Sequence, residues 1–368
     1  MIINNEIRQL VNKIESENTI EPYFTSLLHL LYENCKNYTK FHREKYQELP
    51  VLTSPYPTDN GFSKSFDPLY EEEELLRHWY QYGFVVAKNV ATTVDCQTTI
   101  NTIANILSAA KMTLENPNSY IKDNLGSALL SRGFFELYHD DSLAQLRQNI
   151  RLYLYHVILW GSPFLWTSFD RLGIKTSEGI NSKGLPLHVD QNPCIDPEFT
   201  TIQGVLALQD CPVEVGTFVG VPGSKEFFKQ YSNFIKDDYK GEYIELPEDS
   251  NLYKSLEQYK QEIPIRQGNI VSWDSRTTHA NSHNISHVNR YVAYISTGLA
   301  KENDNQLNDI RQSFFHSGSG QNVRPAYLHA SKKPRFTNEN FMQSMRKAEK
   351  LNSLGLCLYG LKKYEDYL

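Results

Sequence analysis

The segment Gly184-Leu-Pro-Leu-His-Val-Asp-Gln-Asn-Pro193 places a histidine and a carboxylate two residues apart. If Leu185 to Asp190 is a strand, side chains alternate with period two, so His188 and Asp190 share one face. Two such donors can hold one metal ion from one side. His279, at the end of Gly268-Asn-Ile-Val-Ser-Trp-Asp-Ser-Arg-Thr-Thr-His, offers a third. Two histidines and one carboxylate leave coordination positions open, and this is the ligand set of non-haem Fe(II) oxygenases. Arg290 follows further on and opens the strand-like run Arg-Tyr-Val-Ala-Tyr-Ile-Ser. A buried guanidinium needs an anionic partner, and its planar fork suits a carboxylate. In a site with open metal positions, a bound oxo acid can supply that carboxylate.

A histidine two residues from an acid is a common pattern, and this chain holds two others. These are His42-Arg43-Glu44 and His139-Asp140-Asp141. Asp140 and Asp141 read as acids at a helix start. His279, His283 and His287 lie four apart, but Asn281, Ser282, Asn284 and Ser286 between them favour a turn or strand end. His283 and His287 therefore read as loop residues, while His279 closes the strand that begins at Gly268. Trp273 reads as core or pocket wall. Gln191, Gln203 and Lys175 are candidates for facing the pocket, with a structural role as the other reading. His156, in the apolar run Leu152 to Trp160, reads as a satisfied core histidine. Lys332, Lys333 and Arg335 read as a solvated loop, with contact to an anionic substrate as the alternative. Cys194 and Cys211 read as small buried fillers.

The elements that must position these residues can be read from pattern. Ile3, Ile7, Leu10 and Ile14 fall at helical spacing, and Phe24 to Leu31 continues an apolar stripe. Pro50, Pro55, Pro57, Gly61 and Pro68 make 48–69 a loop or linker. Glu71 to Glu74 opens a short helix toward Trp79, Gly83 to Val86 is a compact strand signal, and 92–115 is helical again. From Phe164 the chain turns to β-rich runs: Phe164 to Lys175, Leu185 to Asp190, Thr200 to Gln209, Gly216 to Val221, Ile263 to Trp273 and Arg290 to Gly298. One helix interrupts them, near Lys225 to Ile235. Short strands in series predict an all-β barrel or jelly roll rather than βαβ units. After Lys301 the chain is polar and loop-like to about Phe336. It ends in a helix carrying Phe341, Met345, Ala348 and Leu351.

The chain has 368 residues, 40% of them hydrophobic, enough for a large buried core. A formal charge of −6 and a pI near 6.0 exclude a concentrated basic nucleic-acid surface. Five cysteines without a C-x-x-C pair exclude a disulfide framework and a zinc–thiolate site. The start has no basic then apolar leader. No apolar run approaches the ~20 residues that span a bilayer. The expectation is a soluble cytoplasmic protein with no membrane partner; oligomeric state is left open.

At this point the chain resembles the phytanoyl-CoA dioxygenase-like branch of the 2-oxoglutarate oxygenases. Tyr82-Gly83-Phe84-Val85-Val86, Ser168-Phe169-Asp170-Arg171, Leu187-His188-Val189-Asp190-Gln191, Gln203 to Leu208, Gly216 to Ser224, Gly268 to His279 and Arg290 carry the resemblance, in that order. It implies a mainly β fold with flanking helices, a double-stranded β-helix of the jelly-roll, cupin-like kind. It implies an oxygenase domain over 76–300, a helical extension and linker over 1–75, and a loop and helix over 301–368 that pack on the domain. His188, Asp190 and His279 would be the catalytic, iron-binding residues. Arg290 would grip the 2-oxoglutarate C5 carboxylate, with Asn281 at the assisting position; Lys175, apart from the resemblance, is a further candidate for binding the co-substrate. Asn281 departs from the Ser or Thr that the family often places there. The implied reaction takes molecular oxygen and a small-molecule substrate and releases succinate and carbon dioxide. Related halogenases have Gly or Ala where Asp190 stands, so its presence favours hydroxylation or a similar oxidation over halogenation. The competing readings are a metal-dependent barrel lyase or isomerase without oxygen chemistry, and a non-catalytic binding protein.

Overall fold

The structure is a computed structural model and describes residues 1–36, 38, 54–109, 112–113, 133–176, 184–236, 238–320, 324–326 and 348–368. A short hairpin, β1 (Thr58–Asp59) and β2 (Phe62–Ser63), precedes the main body. Two antiparallel sheets then face each other. The larger holds β3 (Phe84–Ala87), β4 (Phe134–Phe135), β5 (Leu165–Thr167), β6 (Leu172–Lys175), β8 (Ile202–Ala207), β12 (Ile270–Asp274), β14 (Arg290–Tyr294) and β15 (Thr297–Leu299). The smaller has the order β10-β7-β13-β9-β11. It comprises β7 (Leu185–Val189), β9 (Phe218–Gly220), β10 (Ile244–Glu245), β11 (Gln261–Ile263) and β13 (His279–Asn281). From β7 to β9, and again from β11 to β14, successive strands alternate between the sheets. That alternation makes the body a jelly roll built from two open sheets, with no closed barrel.

Side-chain alternation sorts each strand into an inner and an outer set. Phe84, Val86, Val205, Ala207, Val271, Trp273 and Val292 of the large sheet meet Phe218 and Ile263 of the small one in the inner core. Their neighbours Val85, Ala87, Leu206, Ile270 and Ala293 belong to the outer core, under the helices. On the small sheet Leu187, Val189, Val219 and Ala280 point outward, against Phe228, Tyr231, Leu252 and Leu256. The helices over the large sheet include α1 (Asn5–Glu17), α2 (Phe24–Lys36), α3 (Glu72–Tyr82), α4 (Thr93–Ala109), α5 (Asp141–Arg147) and α6 (Ile150–Trp160). The buried Glu72 carboxylate accepts the amides of Ile2 and Ile3 at 2.8 and 2.9 Å and ties the chain start to α3.

Several expectations are corrected by the path of the chain. The run Phe164 to Lys175 is two strands, because β5 pairs with β15 whereas β6 pairs with β14. Ile263 to Trp273 is also two strands, because the chain changes sheets between β11 and β12. A second helix, α7 (Asn251–Glu257), interrupts the strands; Ser250 caps it and it buries Leu252 and Leu256. The polar region after Lys301 contains α8 (Asn305–Ser317). Its buried stripe is Leu307, Arg311, Phe314 and Phe315. The arginine in that stripe, donating to the carbonyls of Pro325, Thr167 and Leu358, hides the helical period. The Lys225 to Ile235 helix is a 3₁₀ turn series over Ser224–Phe234. Near the end, 348–352 is irregular and α9 (Ser353–Leu358) follows. Phe341 and Met345 lie outside the described residues, as do Lys332, Lys333, Arg335 and the His42-Arg43-Glu44 motif. Cys194 is exposed rather than buried, and all five cysteines are free. No helix among the described residues is long and apolar enough to cross a membrane.

Gly220 shows how tightly the sheets close around the site. It is the register partner of His279, and a Cβ there would lie 2.7 Å from the Phe84 ring and 2.9 Å from that of Phe218. Both rings are buried and cannot retreat. Gly220→Ala should therefore lower unfolding free energy by about 1–3 kcal/mol, read as a lower urea midpoint with an unchanged slope.

A candidate metal centre between the sheets

On β7, Leu187 and Val189 face outward, so His188 faces the inner space. Asp190, just past the strand end, falls on the same parity. On β13, Ala280 faces outward, so His279 and Asn281 face inward. The two strands pair with His279 directly opposite His188. The imidazoles lie with centroids 4.3 Å apart. Asp190 Oδ2 lies 3.4 Å from His279 Nε2 and 3.9 Å from His188 Nε2. One donor atom from each residue falls within 4.8 Å of the other two, a spacing one ion can bridge. His279 does not close the Gly268 strand, as expected from sequence. β12 stops at Asp274, the chain turns, and His279 opens a strand in the other sheet.

The surrounding bonds fix the ligands in the form a metal needs. His188 Nδ1 pairs with the Pro186 carbonyl at 2.7 Å, and His279 Nδ1 with the Thr277 carbonyl at 3.0 Å. With Nδ1 donating to a carbonyl, each Nε2 is left as the acceptor that faces Asp190. Gln203 Nε2 donates to Asp190 Oδ2 at 3.0 Å. Burial, with the nearby His279, lowers the His188 pKa to about 4, so this imidazole is neutral at ordinary pH. Burial alone would raise the Asp190 pKa. The two imidazole rings beside it and the amide of Gln203 outweigh it and hold the carboxyl well below the usual range. Phe218 and Trp273 wall His279, with centroids at 5.9 and 4.9 Å, and Tyr243 lies against His188 at 4.6 Å.

A second charged group stands on the same inner surface. Arg290 is the register partner of Lys175 on β6, and both side chains are buried. Arg290 Nε is buried without a hydrogen-bond partner among the described residues. Among the described residues, Lys175 Nζ donates to two neutral oxygens, the Ser282 carbonyl at 2.6 Å and Asn281 Oδ1. Burial, then the Arg290 charge, pull the Lys175 pKa from 10.5 down to about 6. A buried guanidinium beside a buried amine, with donors spent on neutral groups or on none among the described residues, forms a receptor for an anion.

All six sequence candidates, His188, Asp190, His279, Arg290, Asn281 and Lys175, thus reach the inner space. Gln203 was open between a pocket and a structural role and in fact touches Asp190. Tyr243 carried no signal in sequence. His283 and His287 are exposed. His139 Nε2 pairs with the Ser319 carbonyl at 2.9 Å while Asp140 caps α5, so that motif is structural. His156 is buried in α6, but its Nε2 has no partner among the described residues and burial drops its pKa to about 3, so it is not fully satisfied there.

A family model described as phytanoyl-CoA dioxygenase (PhyH) matches residues 79–292, more than half of the chain. The chain belongs to this family. The match spans β3 to β14 and includes the three clustered ligands and Arg290. No curated protein matches the chain. Among solved structures, the putative oxidoreductase from Salmonella typhimurium LT2 has a TM-score of 0.52 at 15% identity, covering 92% of this chain and 96% of that one. This likeness concerns the fold alone. The epimerase SnoN, in complex with Fe3+, alpha ketoglutarate and nogalamycin RO, has a TM-score of 0.45 at 19% identity, covering 62% and 84%. EctD from S. alaskensis, with 2-oxoglutarate and 5-hydroxyectoine, has a TM-score of 0.45 at 15% identity, covering 68% and 80%.

For this member of the dioxygenase family, His188→Ala and Asp190→Ala should each abolish tight metal binding while keeping the fold. Anaerobic loading with Fe(II) followed by elemental analysis should give about one iron per wild-type chain and far less per variant. Equal iron in all three proteins would place the metal elsewhere.

Proposed function

We propose that this chain is an Fe(II)- and 2-oxoglutarate-dependent dioxygenase that hydroxylates a small-molecule metabolite. The observation that carries this reading is the shared inner face, with three metal-ligand side chains at one end and the Arg290–Lys175 cation pair at the other. The donor set fits iron(II): two imidazoles and one carboxylate, approaching from one side and leaving positions free. The cation pair fits a dicarboxylate whose second acid group reaches beyond the metal. His188, Asp190 and His279 would hold the ion. Arg290 would bind the far carboxylate of the oxo acid through its fork. Lys175 would add a second charge, and Asn281 would hold the Lys175 amine in place. Iron(II) with 2-oxoglutarate supplies the oxidation, consuming molecular oxygen and releasing succinate and carbon dioxide.

The protein's own part is geometric and electrostatic. The carbonyls of Pro186 and Thr277 set both imidazole tautomers, and Gln203 holds Asp190 toward them. Trp273 and Phe218 exclude water from one side of His279. Five free thiols support a reducing, cytoplasmic setting.

Two measurements test the reading. Succinate formation should require Fe(II) and the native ligands, and Arg290→Ala should raise the 2-oxoglutarate requirement about 10- to 100-fold with iron content unchanged. If the Fe(II) protein shows no charge-transfer band with 2-oxoglutarate, the reading fails. Binding should also move a proton. With its pKa at about 6, Lys175 is neutral at pH 8 in the free protein. A carboxylate between Lys175 and Arg290 favours the ammonium and raises that pKa. Binding at pH 8 should therefore take up as much as one proton, and affinity should fall as pH rises further. Calorimetry in buffers of different ionisation enthalpy reads this uptake, and Lys175→Met should abolish it.

A further inference from the structure

The edge of the large sheet carries a third cation that the metal and co-substrate do not use. On β6, Leu172 and Ile174 belong to the outer core, so Arg171, Gly173 and Lys175 fall on the inner parity. Phe134 on β4 pairs with Gly173 and shares that face. The Arg171 guanidinium lies 3.9 Å from the Phe134 ring centre. Tyr294, whose amide donates to the Arg171 carbonyl at 3.2 Å, stands edge-on to Phe134 at 5.7 Å. Gly173 makes room for it: a Cβ there would lie 2.9 Å from the Tyr294 ring and 3.2 Å from its hydroxyl oxygen. The Tyr294 hydroxyl is within electrostatic reach of Arg171, Arg290 and Asp190 together.

Arg171 is not used up by its surroundings. Its Nε is buried and has no hydrogen-bond partner among the described residues. Its side chain is only 17% exposed. The nearest acid, Asp170, stays 3.6 Å from Nε, and the same Oδ1 already accepts the Arg171 amide at 2.9 Å. Asp170 is therefore a poor hydrogen-bonding partner for the fork. Arg171 lies four residues from Lys175, roughly 13 Å along the strand at 3.3 Å per residue. That distance separates it from the co-substrate clamp. It also brings it to the level of Tyr294 and Val205, one inward step from Gln203, which touches Asp190.

We propose that Arg171 and Tyr294 form a substrate subsite that selects molecules bearing a carboxylate. The subsite deepens the oxygenase reading and rests on it. Arg171 would donate to the acid through its fork, with Phe134 holding the guanidinium plane. The Tyr294 hydroxyl would add one hydrogen bond and turn the substrate body toward the metal ligands.

A matched acid and alcohol, phenylacetate and 2-phenylethanol, test this by anaerobic calorimetry on protein loaded with Fe(II) and 2-oxoglutarate. Wild type should bind the acid about tenfold more tightly or better, the worth of one charge-assisted hydrogen bond. Arg171→Met should bring the preference close to unity while 2-oxoglutarate affinity stays within about twofold. Arg171→Lys, which keeps the charge and loses the fork, should retain part of it, and Tyr294→Phe should lose a smaller part. These two variants carry the test if Arg171→Met does not fold. An undiminished preference in the Arg171 variants, or none in wild type, overturns the subsite. Failure of 2-oxoglutarate to bind strikes the oxygenase reading instead. The same comparison is then made on Arg290→Met protein, where the other cation site is removed, and decides the subsite by itself.

Discussion

The site depends on one register, that of β13 against β7. His279 meets His188 only because the two residues are direct partners across the small sheet. A slip of one residue would send the imidazole outward, into the packing now made by Ala280. The corner before β13 protects against that slip. Thr277 N donates to the Asp274 carbonyl, Thr278 N to Ser224 Oγ, and Thr277 Oγ1 to the Gly83 carbonyl. The Arg276–Asp274 ion pair closes the turn at 2.7 Å. On the far side, Ser282 N donates to the Thr217 carbonyl at 3.0 Å, which fixes the strand against β9. The residues nearest the ligand are thus held by elements from both sheets and from the 3₁₀ segment, so the site is built on rigid backbone.

The same alternation separates two jobs on one surface. At the metal end the charge is that of the Asp190 carboxylate, and burial keeps the His188 imidazole neutral. At the other end the charge is positive, with no carboxylate partner shown for Arg290 Nε or Lys175 Nζ. An ion pair between the ends would cancel both. The apolar inner residues Val205, Ala207 and Val292 keep them apart and keep the intervening space at low polarity. In such a medium each charge acts at greater range than it would in water.

The small-sheet ligands were legible because they sit where period two is clean. Leu187-His188-Val189-Asp190 alternates apolar and polar, and the polar set faces inward. Arg290 was legible for the opposite reason, as a charged residue in a run that packing would have filled with a hydrocarbon. Changes of sheet were not legible. Ile263 to Trp273 is apolar at both ends, and although Arg266-Gln267-Gly268-Asn269 between them marks a turn, nothing in residue type says that the turn carries the chain from one sheet at Ile263 to the other at Ile270. α8 was hidden because its helical stripe includes Arg311, which is satisfied by three carbonyls rather than by an acid. Tyr243 was hidden because its contact with His188 is made through the pairing of β10 with β7, a long-range event that no local pattern encodes.

Buried basic groups with few acid partners are costly to fold, since they give up hydration that carboxylates replace only in part. Among the described residues Arg290 Nε and the buried Arg171 Nε have no hydrogen-bond partner, and Lys175 is driven toward its neutral form. A sandwich selected for stability alone would place hydrocarbon at these positions, as it does at Val205 and Val292. The cost is tolerated by the large apolar core around them and is recovered when an anion arrives. The three cations share the inner face with the metal ligands, and the physical sense of that placement is preorganisation. The protein meets the desolvation of the receptor during folding, so that an arriving acid has chiefly its own to meet.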